Sequence, residues 1–596
     1  MTGILHRVIL CVLALLGVPA LAVVVALLAG GSANSVPVIS ATDIPHLAKN
    51  GAVTQLIVDG KPFLALAGEL DNDASTNLDN LRPIWPILAR MNLNTVLAPV
   101  YWELIEPQEG RFDFTLLDGM IQEARRRNLR LVPLWFASWK NGMSNYAPLW
   151  AKKDVQRFPR VQTRDGKDLE MFSSIEGYGN ATRDADARAF AALMRHIKAV
   201  DGQQHTVIML QLENEMGVLG DSRDRSLAAN KAFEGPVSKD LMAYLQAHND
   251  TLLPEFRQLW QAAGNQSSGT WEQVFGKAPK TDEIFMAWNY SRYVGRVAEA
   301  GKAEYSLPLF VNAWLYGGQL NEPGRTPSGG PLPEVMDVWR AGAPRIDMLS
   351  PDAYSNFVEF CERYDRSGNP LFIPETTGGP EGAARALYAF GRHGAIGYTP
   401  FLIESNPQRD PRNELGRVYK AISQVMPLIA ARQGKNSLTS VLLEEGQTEK
   451  ATLGDYTLNA TFGAPALRTW SSPPISPTPP SDTPPAGAIF VLTAPDEFYV
   501  IASGAMSITF TPNTPGPPIV GVGTLDEGNL VDGRWVQGRR LTNYGMQGAT
   551  GWNGVRPAPA PALVLVPSVY FRDRQTLGYA GQDDGAGILR VKLYRY

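Results

Sequence analysis

Two glutamates, Glu215 and Glu375, each stand at the end of a short apolar run of the sequence. The first closes TVIMLQLENE and directly follows Asn214, and the second closes NPLFIPE. Two carboxyl groups about 5–5.5 Å apart can cleave a glycosidic bond with retention, because one protonates the leaving oxygen while the other attacks the anomeric carbon. A neighbouring amide can bind the sugar 2-hydroxyl. The pair is therefore a candidate catalytic centre, with Asn214 as a substrate-binding residue.

These glutamates need a fold that brings distant strand ends together. From about residue 54 to 430, apolar runs alternate with amphipathic helical patterns, as in repeated strand–helix units. The predicted strands are eight runs, apolar on both faces as if covered by helices: 63–69, 95–102, 129–136, 206–215, 307–314, 347–354, 369–376 and 395–402. Eight units predict a (β/α)8 TIM barrel, whose active site lies at the C-terminal strand ends. Glu215 ends the fourth strand and Glu375 the seventh, across the barrel from each other. A single glutamate would be interpreted as an ordinary surface carboxylate, but the placement of both at these strand ends favours catalysis.

Other polar and aromatic residues end the predicted strands and are candidates for lining the barrel mouth. The candidate substrate-binding residues among them are Glu69, Trp102, Glu103, Trp139 and Tyr354. A structural role is an open alternative for each, and Trp102 in particular could pack beneath the barrel top. Glu213 lies one layer deeper than Glu215, which favours a buried charge network over direct catalysis.

Three segments resemble the family 35 β-galactosidases of glycoside hydrolase clan A. They are QLENEMG (211–217), the pattern Trp102…Glu106-Pro107-x-x-Gly110-x-Phe112-x-Phe114 followed by Asp118, and LAGE (66–69). The resemblance covers about residues 50–430. It implies that Glu215 is the general acid/base and Glu375 the nucleophile. In this clan a tyrosine after the sixth strand often hydrogen-bonds the nucleophile, and Tyr354 fits that position.

The sequence also departs from the family 35 pattern. Ile105 stands where the family usually has histidine, Pro99 where it has tyrosine, and Ser138 where most members have a glutamate that holds galactose hydroxyls. Serine cannot accept hydrogen bonds from two hydroxyls as a carboxylate does, so we expect Glu69 or Glu103 to take that role. Either carboxylate could instead form a structural ion pair. The departures indicate a divergent bacterial branch.

The pattern changes after about residue 430. Segments with strand and turn signals, such as AIFVLTAPDEFYVIASGAMSITFTP and GILRVKLYRY, predict a β-sandwich. Residues 463–487 are rich in Pro, Ser and Thr, and because strand-like sequence flanks them they are interpreted as a loop within that domain. The predicted organisation is an N-terminal segment over 1–33, a catalytic barrel over 34–430 and an accessory sandwich over 431–596.

The N-terminal segment has the pattern of an export signal. A short basic stretch precedes an apolar run over residues 8–30, and small polar residues follow. Because the run is about 20 residues long, it could also span a bilayer, so a cleaved signal peptide and a retained membrane anchor are both open. If the segment is removed, Cys361 is left alone and no intramolecular disulfide is possible, which fits a bacterial periplasm. We expect a periplasmic or secreted protein, or one anchored in the inner membrane.

Composition and charge exclude several partners. The net charge of −4 gives no basic surface for nucleic acid, and the six histidines form no metal-ligand pattern with the cysteines. No metal or cofactor is therefore expected. The sequence predicts a retaining, exo-acting β-galactosidase that removes terminal β-galactosyl residues from galactosides or oligosaccharides, including plant polysaccharide side chains such as those of xyloglucan. The alternatives are another retaining β-glycosidase of clan A and a non-catalytic carbohydrate-binding protein on a decayed barrel.

Overall fold

The computed structural model describes residues 44–315, 322–366, 368–463, 483–540 and 587–596, and the backbone of 563–565. These residues all belong to one compact unit. The predicted signal or anchor over 1–33 and most of the Pro-rich stretch lie outside the described residues. Within the part of the chain that is described, no helix is both long and apolar enough to cross a membrane.

A small antiparallel sheet precedes the barrel. Its strands are β1 (His46–Asn50), β2 (Val53–Val58) and β3 (Lys61–Phe63), and the last two form a hairpin. Leu56 of β2 is fully buried in one hydrophobic cluster with residues inside the barrel. The sheet therefore covers apolar side chains that fill the barrel interior.

Eight parallel strands then close into a barrel, and a short hairpin, β7–β8, interrupts the series after the third of them. The barrel strands in chain order are β4 (Ala65–Glu69), β5 (Thr95–Tyr101), β6 (Arg130–Lys140), β9 (Leu210–Asn214), β10 (Leu309–Trp314), β11 (Met348–Ala353), β12 (Phe372–Thr376) and β13 (Gly397–Pro400). The hairpin strands are β7 (Arg160–Gln162) and β8 (Asp168–Phe172). Closure is through β13, whose Gly397 pairs with Ala65 of β4. The predicted (β/α)8 barrel is confirmed, and each of its eight strands overlaps a predicted run.

Helices surround the barrel and fill the insertion after its fourth strand. In chain order they are α1 (Leu78–Leu81), α2 (Trp85–Arg90), α3 (Trp102–Ile105), α4 (Thr115–Arg126), α5 (Leu149–Lys153), α6 (Asn180–Asp201), α7 (Leu227–Glu234), α8 (Lys239–Ala247), α9 (Pro254–Ala262), α10 (Trp271–Phe275), α11 (Pro279–Glu304), α12 (Met336–Gly342), α13 (Phe357–Tyr364), α14 (Gly379–Arg392), α15 (Asn406–Arg409) and α16 (Glu414–Arg432). The segment over 77–91 forms two helices, α1 and α2, on either side of Pro83, because proline offers no backbone N–H to continue the first helix.

The C-terminal region is all-β, as predicted, and consists of two antiparallel sheets. Its strands are β14 (Leu438–Leu443), β15 (Thr448–Leu453), β16 (Tyr456–Phe462), β17 (Ala486–Ala494), β18 (Glu497–Ser503), β19 (Met506–Pro512), β20 (Val520–Val531), β21 (Arg534–Arg540), β22 (Leu563–Leu565) and β23 (Ile588–Arg595). One sheet has the order β14-β17-β18-β23-β20-β21 and the other β15-β16-β19-β22. Apolar residues of both sheets, including Leu458 and Phe490, form one buried cluster between them.

The six-stranded sheet packs its other face against the barrel helices. Ile489 and Ile501 of this sheet are at most 2% exposed and belong to the same hydrophobic cluster as the barrel. The side chain of Ser503 donates a hydrogen bond of 2.6 Å to Glu414 at the start of α16. The sheet begins at Leu438, six residues after α16 ends. The boundary at 430/431 remains a prediction, because barrel and sheets share one compact unit.

Candidate active site

The C-terminal ends of the barrel strands bring one lysine and four carboxyl groups together. They are Glu69 on β4, Lys140 on β6, Glu215 directly after β9, Asp352 on β11 and Glu375 on β12. All five residues are buried, with exposed fractions between 1% and 9%. Carboxylate oxygens of Glu215, Asp352 and Glu375 lie within 4.8 Å of one another. These three carboxyl groups are close enough together to ligate a cation, but their hydrogen bonds are those of groups that transfer protons.

Glu215 is held by its backbone as well as by its neighbours. Its φ is +44° and that of Glu213 is +58°, a conformation uncommon for glutamate and often found at functional sites. The Glu215 backbone N–H donates to Asn312 Oδ1 at 3.0 Å. Burial first, and then the charge of Glu375, raise the pKa of Glu215 to about 8, although Lys140 opposes the shift. Glu215 is therefore protonated at neutral pH, as a general acid must be.

Asp352 was missed by the sequence analysis. It is 1% exposed, and its Oδ2 accepts a hydrogen bond of 2.8 Å from Asn312 Nδ2. Its carboxyl group also hydrogen-bonds that of Glu215, and burial, followed by the charges of Glu375 and Glu215, raises the pKa of Asp352 well above its usual range. A signal was present in the sequence, since Asp352 lies two residues before Tyr354 and alternation places the two on one strand face.

Glu375 accepts a hydrogen bond from the residue predicted to contact it. The Tyr354 hydroxyl donates to Glu375 Oε1 at 2.7 Å. Arg385 of α14 donates to the Tyr354 carbonyl at 2.8 Å and so fixes the segment that follows β11. Burial, and then the charge of Glu375, raise the pKa of Tyr354, so its phenol keeps the proton that it donates. The tyrosine holds one oxygen of Glu375 in place.

Glu69 and Lys140 are the other two charged residues of this cluster. Among the described residues, no side chain or backbone group hydrogen-bonds the Glu69 carboxyl group, although the residue is only 1% exposed. Burial and the charge of Glu375 raise the pKa of Glu69 well above its usual range, and Lys140 opposes this. The Lys140 ammonium lies 4.7 Å from the centre of the Phe136 ring. Glu404, in the segment after β13, accepts a hydrogen bond of 2.9 Å from the backbone N–H of Asp71.

The Asn214 amide is occupied by protein groups. Its Oδ1 accepts Gln211 Nε2 at 3.0 Å, and its Nδ2 donates to Asn141 Oδ1 at 3.1 Å. The residue is fully buried beside Glu215. These bonds hold the end of β9, which Glu215 directly follows. A contact between Asn214 and the sugar stays a prediction.

Three predicted binding residues are engaged in structural contacts with other protein groups. Trp102 and Trp139 are fully buried, and their indole N–H groups donate to Glu106 Oε2 at 2.8 Å and to the Phe172 carbonyl at 3.0 Å. Glu103 pairs with Lys152 at 3.1 Å. The tryptophans leave no ring face for a sugar, and the Glu103 charge is already compensated.

A second carboxyl pair lies beneath the first. Glu213 accepts the backbone N–H of Trp139 at 2.9 Å, and its side chain hydrogen-bonds Asp186. Asp186 also accepts hydrogen bonds from Trp135 Nε1 at 2.8 Å and from the Tyr293 hydroxyl at 3.1 Å. Ser138 is fully buried in this network and does not replace a sugar-binding carboxylate. The structure thus places Glu213 in a buried charge network.

Comparison with known proteins relates part of the barrel to β-galactosidases. A glycoside hydrolase family 42 model described as beta-galactosidase matches residues 80–290, and a model described as a domain of unknown function (DUF5597) matches residues 415–542. The first match covers β5 to β9 and most of the insertion helices. The second begins inside α16 and ends just after β21. The resemblance of the motifs to family 35 in particular stays a prediction.

Individual relatives give the same result over a limited length. A β-galactosidase from Xanthomonas manihotis is 29% identical over 191 residues, which are 30% of this chain and 28% of that protein. Beta-galactosidase 11 from Arabidopsis thaliana is 27% identical over 173 residues, 27% of this chain and 18% of that protein. The crystal structure of a β-galactosidase from Rahnella sp. R3 has a TM-score of 0.42 and 16% identity, covering 62% of this chain and 57% of that one. The sequence matches relate this chain to β-galactosidase-like glycoside hydrolases, although the chain spans less than a third of the length of the two curated relatives.

Proposed function

We propose that this protein is a retaining, exo-acting β-galactosidase, with Glu215 as general acid/base and Glu375 as nucleophile. The observation that carries the proposal is the distance of at most 4.8 Å between carboxylate oxygens of the two residues. Such a short separation fits a double displacement, because an inverting enzyme needs about 6.5–9.5 Å to place water between its carboxyl groups. The similarity to β-galactosidases supports the sugar.

The electrostatics of the pair separate the two roles. Burial and the Glu375 charge raise the pKa of Glu215 to about 8, so Glu215 carries a proton that it can give to the leaving oxygen. Glu375 is oriented by the Tyr354 hydroxyl and attacks the anomeric carbon to form a glycosyl-enzyme. Glu215, now ionised, takes a proton from the water that releases the sugar. A decayed, non-catalytic barrel would have no need for this division between the two carboxyl groups.

The charge of the site also limits the substrate. Glu375 must be ionised to attack the anomeric carbon, and the carboxylate of a uronic acid would bring a second negative charge beside it, so a neutral sugar is favoured. Terminal galactose on xyloglucan side chains belongs to this neutral class and is the polysaccharide substrate that we propose. A β-glucosidase of the same clan is the alternative that a substrate panel distinguishes.

The stereochemistry of the first product tests the mechanism. Proton NMR of a nitrophenyl β-galactoside digest should show the β-anomer before mutarotation, and a panel of nitrophenyl glycosides should rank the galactoside first. An activated 2-deoxy-2-fluorogalactoside should label Glu375, identified by peptide mass spectrometry. Glu375→Gln should abolish turnover, whereas Glu272→Gln, a change on the exposed side of α10, should have no effect. An α-anomer as first product, or a label on another carboxylate, would contradict the assignment.

A further inference from the structure

Asn312 holds Asp352 and Glu215 against each other. Its amide nitrogen donates to Asp352 Oδ2 at 2.8 Å, and its amide oxygen accepts the backbone N–H of Glu215 at 3.0 Å. Asp352 is 1% exposed and Glu215 is 4% exposed. Carboxylate oxygens of the two residues lie within 4.8 Å of each other, and both residues are almost fully shielded from solvent.

Their hydrogen bond requires a proton between them. Two ionised carboxylates both accept and neither donates, so one of the pair must be a neutral carboxylic acid. Among the described residues, no N–H or hydroxyl group donates to Asp352 Oδ1, although this atom is buried. A proton on the Asp352 carboxyl group makes it a donor for Glu215. The remaining charged groups that face Glu215 are Glu69, Lys140 and Glu375.

The order in which the two acids ionise follows from their surroundings. Burial, together with the charges of Glu375 and Glu215, raises the pKa of Asp352 well above its usual range. The pKa of Glu215 is raised to about 8, and the hydrogen bond with Asp352 limits that rise. Tyr354 donates to Glu375 and stays neutral. Asp352 is the less exposed of the two, and Lys140 favours the ionised form of Glu215, so we take Glu215 as the group that ionises while Asp352 keeps its proton.

We propose that Asp352 is a positioning residue that acts as a neutral carboxylic acid, donating its O–H to Glu215 throughout the catalytic cycle. This inference rests on the proposed function. When Glu215 gives its proton to the glycosidic oxygen, the O–H of Asp352 stabilises the carboxylate that remains. The proton of Asp352 is not transferred. Water later returns a proton to Glu215, so the pair ends the cycle as it began.

Two variants of Asp352 separate this role from a merely structural one. Asp352→Asn keeps a neutral N–H donor toward Glu215 and an acceptor for Asn312. We expect it to lower kcat/KM by less than about tenfold and to keep the alkaline limb of the pH profile within about half a pH unit. Asp352→Ala removes the donor, so the alkaline limb should move upward by about one pH unit. The same variant should slow deglycosylation about tenfold or more, because that step needs ionised Glu215.

The measurements are pH profiles of kcat/KM and pre-steady-state bursts with a dinitrophenyl β-galactoside. A burst in Asp352→Ala, with turnover restored by azide, supports the proposal, because azide attacks the glycosyl-enzyme without a general base. A downward shift of the alkaline limb in Asp352→Asn overturns it, since that shift means that an ionised Asp352 was raising the Glu215 pKa. The proposal is also overturned if Asp352→Ala lowers kcat/KM equally at every pH and leaves the alkaline limb where it is in the wild type. If Asp352→Ala does not fold, the position of the alkaline limb in Asp352→Asn decides between the two outcomes. Failure of the proposed function is distinguished by the wild type, which would then release no β-galactose.

Discussion

Glu69 is a buried carboxyl group beside Glu375, and no group of the described residues hydrogen-bonds it. A site built to accept a hydroxyl loses much of its discrimination when that acceptor is removed. We expect Glu69→Ala to lower kcat/KM for a galactoside by about a hundredfold or more. The loss should shrink for the deoxygalactoside that lacks the contacted hydroxyl, which a series of monodeoxy substrates identifies.

Glu103 supplies the matched control for Glu69. Glu69 ends β4 and Glu103 lies in α3, directly after the neighbouring strand β5, but Glu103 already pairs with Lys152 at 3.1 Å. Glu103→Ala should therefore leave kcat/KM within a few-fold of wild type, since an exposed ion pair contributes about 0.2–1 kcal/mol. Near-full activity in Glu69→Ala, or a larger loss in Glu103→Ala, would show that this assignment of the sugar-binding carboxylate is wrong.

Glu213 links the charge network beneath the site to stability. Burial, and then the charge of Asp186, raise the pKa of Glu213 well above its usual range, so it is the neutral donor of that pair. A group whose pKa is raised on folding contributes stability that is full below its unfolded pKa and is lost as the pH rises through its folded pKa. Glu213→Gln keeps a neutral donor at every pH and should flatten the alkaline fall in stability. Glu213→Ala should cost roughly 3 kcal/mol or more, because it leaves Asp186 buried without that donor.

Urea unfolding at several pH values between about 5 and 9 measures both effects. The two substitutions change the same position, so the difference between their free energies of unfolding separates the loss of the hydrogen-bond donor from the loss of a charge. Equal destabilisation by Gln and Ala, or an unchanged pH dependence in Glu213→Gln, would mean that Glu213 is ionised in the folded protein.

At the scale of elements, the sequence is informative where a periodic pattern determines the outcome. Apolar runs covered by helices have few alternatives to barrel strands, and Glu215 and Glu375 followed from their places at two of these strand ends. The positive φ of Glu213 and Glu215 did not follow, because no local signal distinguishes them from ordinary strand residues. The burial of Trp102 and Trp139 depended on Glu106 and Phe172, partners whose position only the assembled barrel fixes.

The contact between α14 and the six-stranded sheet depends on glycine. A Cβ added to Gly487 of β17 would lie 2.7 Å from the Ala384 Cα on α14, and backbone cannot move aside as a flexible side chain can. Gly487→Ala should therefore lower the free energy of unfolding by about 1–3 kcal/mol. Because α14 follows the strand that carries Glu375, kcat should fall as well.

Gly587 offers a control for this substitution. A Cβ at Gly587, which directly precedes β23, would meet no atom within 4 Å. Thermal unfolding of Gly487→Ala and Gly587→Ala, measured beside wild type, should separate a steric effect from the general effect of replacing glycine. Equal melting temperatures for the two variants would show that α14 and the sheet do not pack as closely as the structure has them.

At the scale of the whole molecule, the C-terminal sheets are part of the structure that supports the barrel. Ile489, Val491, Ile501 and Ile588 of the six-stranded sheet are at most 2% exposed and share one hydrophobic cluster with the barrel. Burial of each such side chain contributes about 1.5–3 kcal/mol, so removal of the sheet would leave a large apolar surface on α14 and α16. We therefore expect a chain that ends at residue 437 to be insoluble or inactive, and the full-length protein to unfold in one calorimetric transition.

A nicked protein provides the control for that deletion. Residues 434–436, between α16 and β14, are exposed, so a protease site inserted there can be cut without removing any strand. The nicked protein should keep both fragments associated and remain active, because the shared hydrophobic cluster and the hydrogen bond from Ser503 to Glu414 do not depend on the connecting peptide. Gel filtration and galactosidase assays of the nicked and the truncated proteins measure the difference. A soluble and fully active truncated chain, or two separate unfolding transitions in the intact protein, would show that the sheets are an independent appendage, and the barrel would then have to cover its own apolar helices.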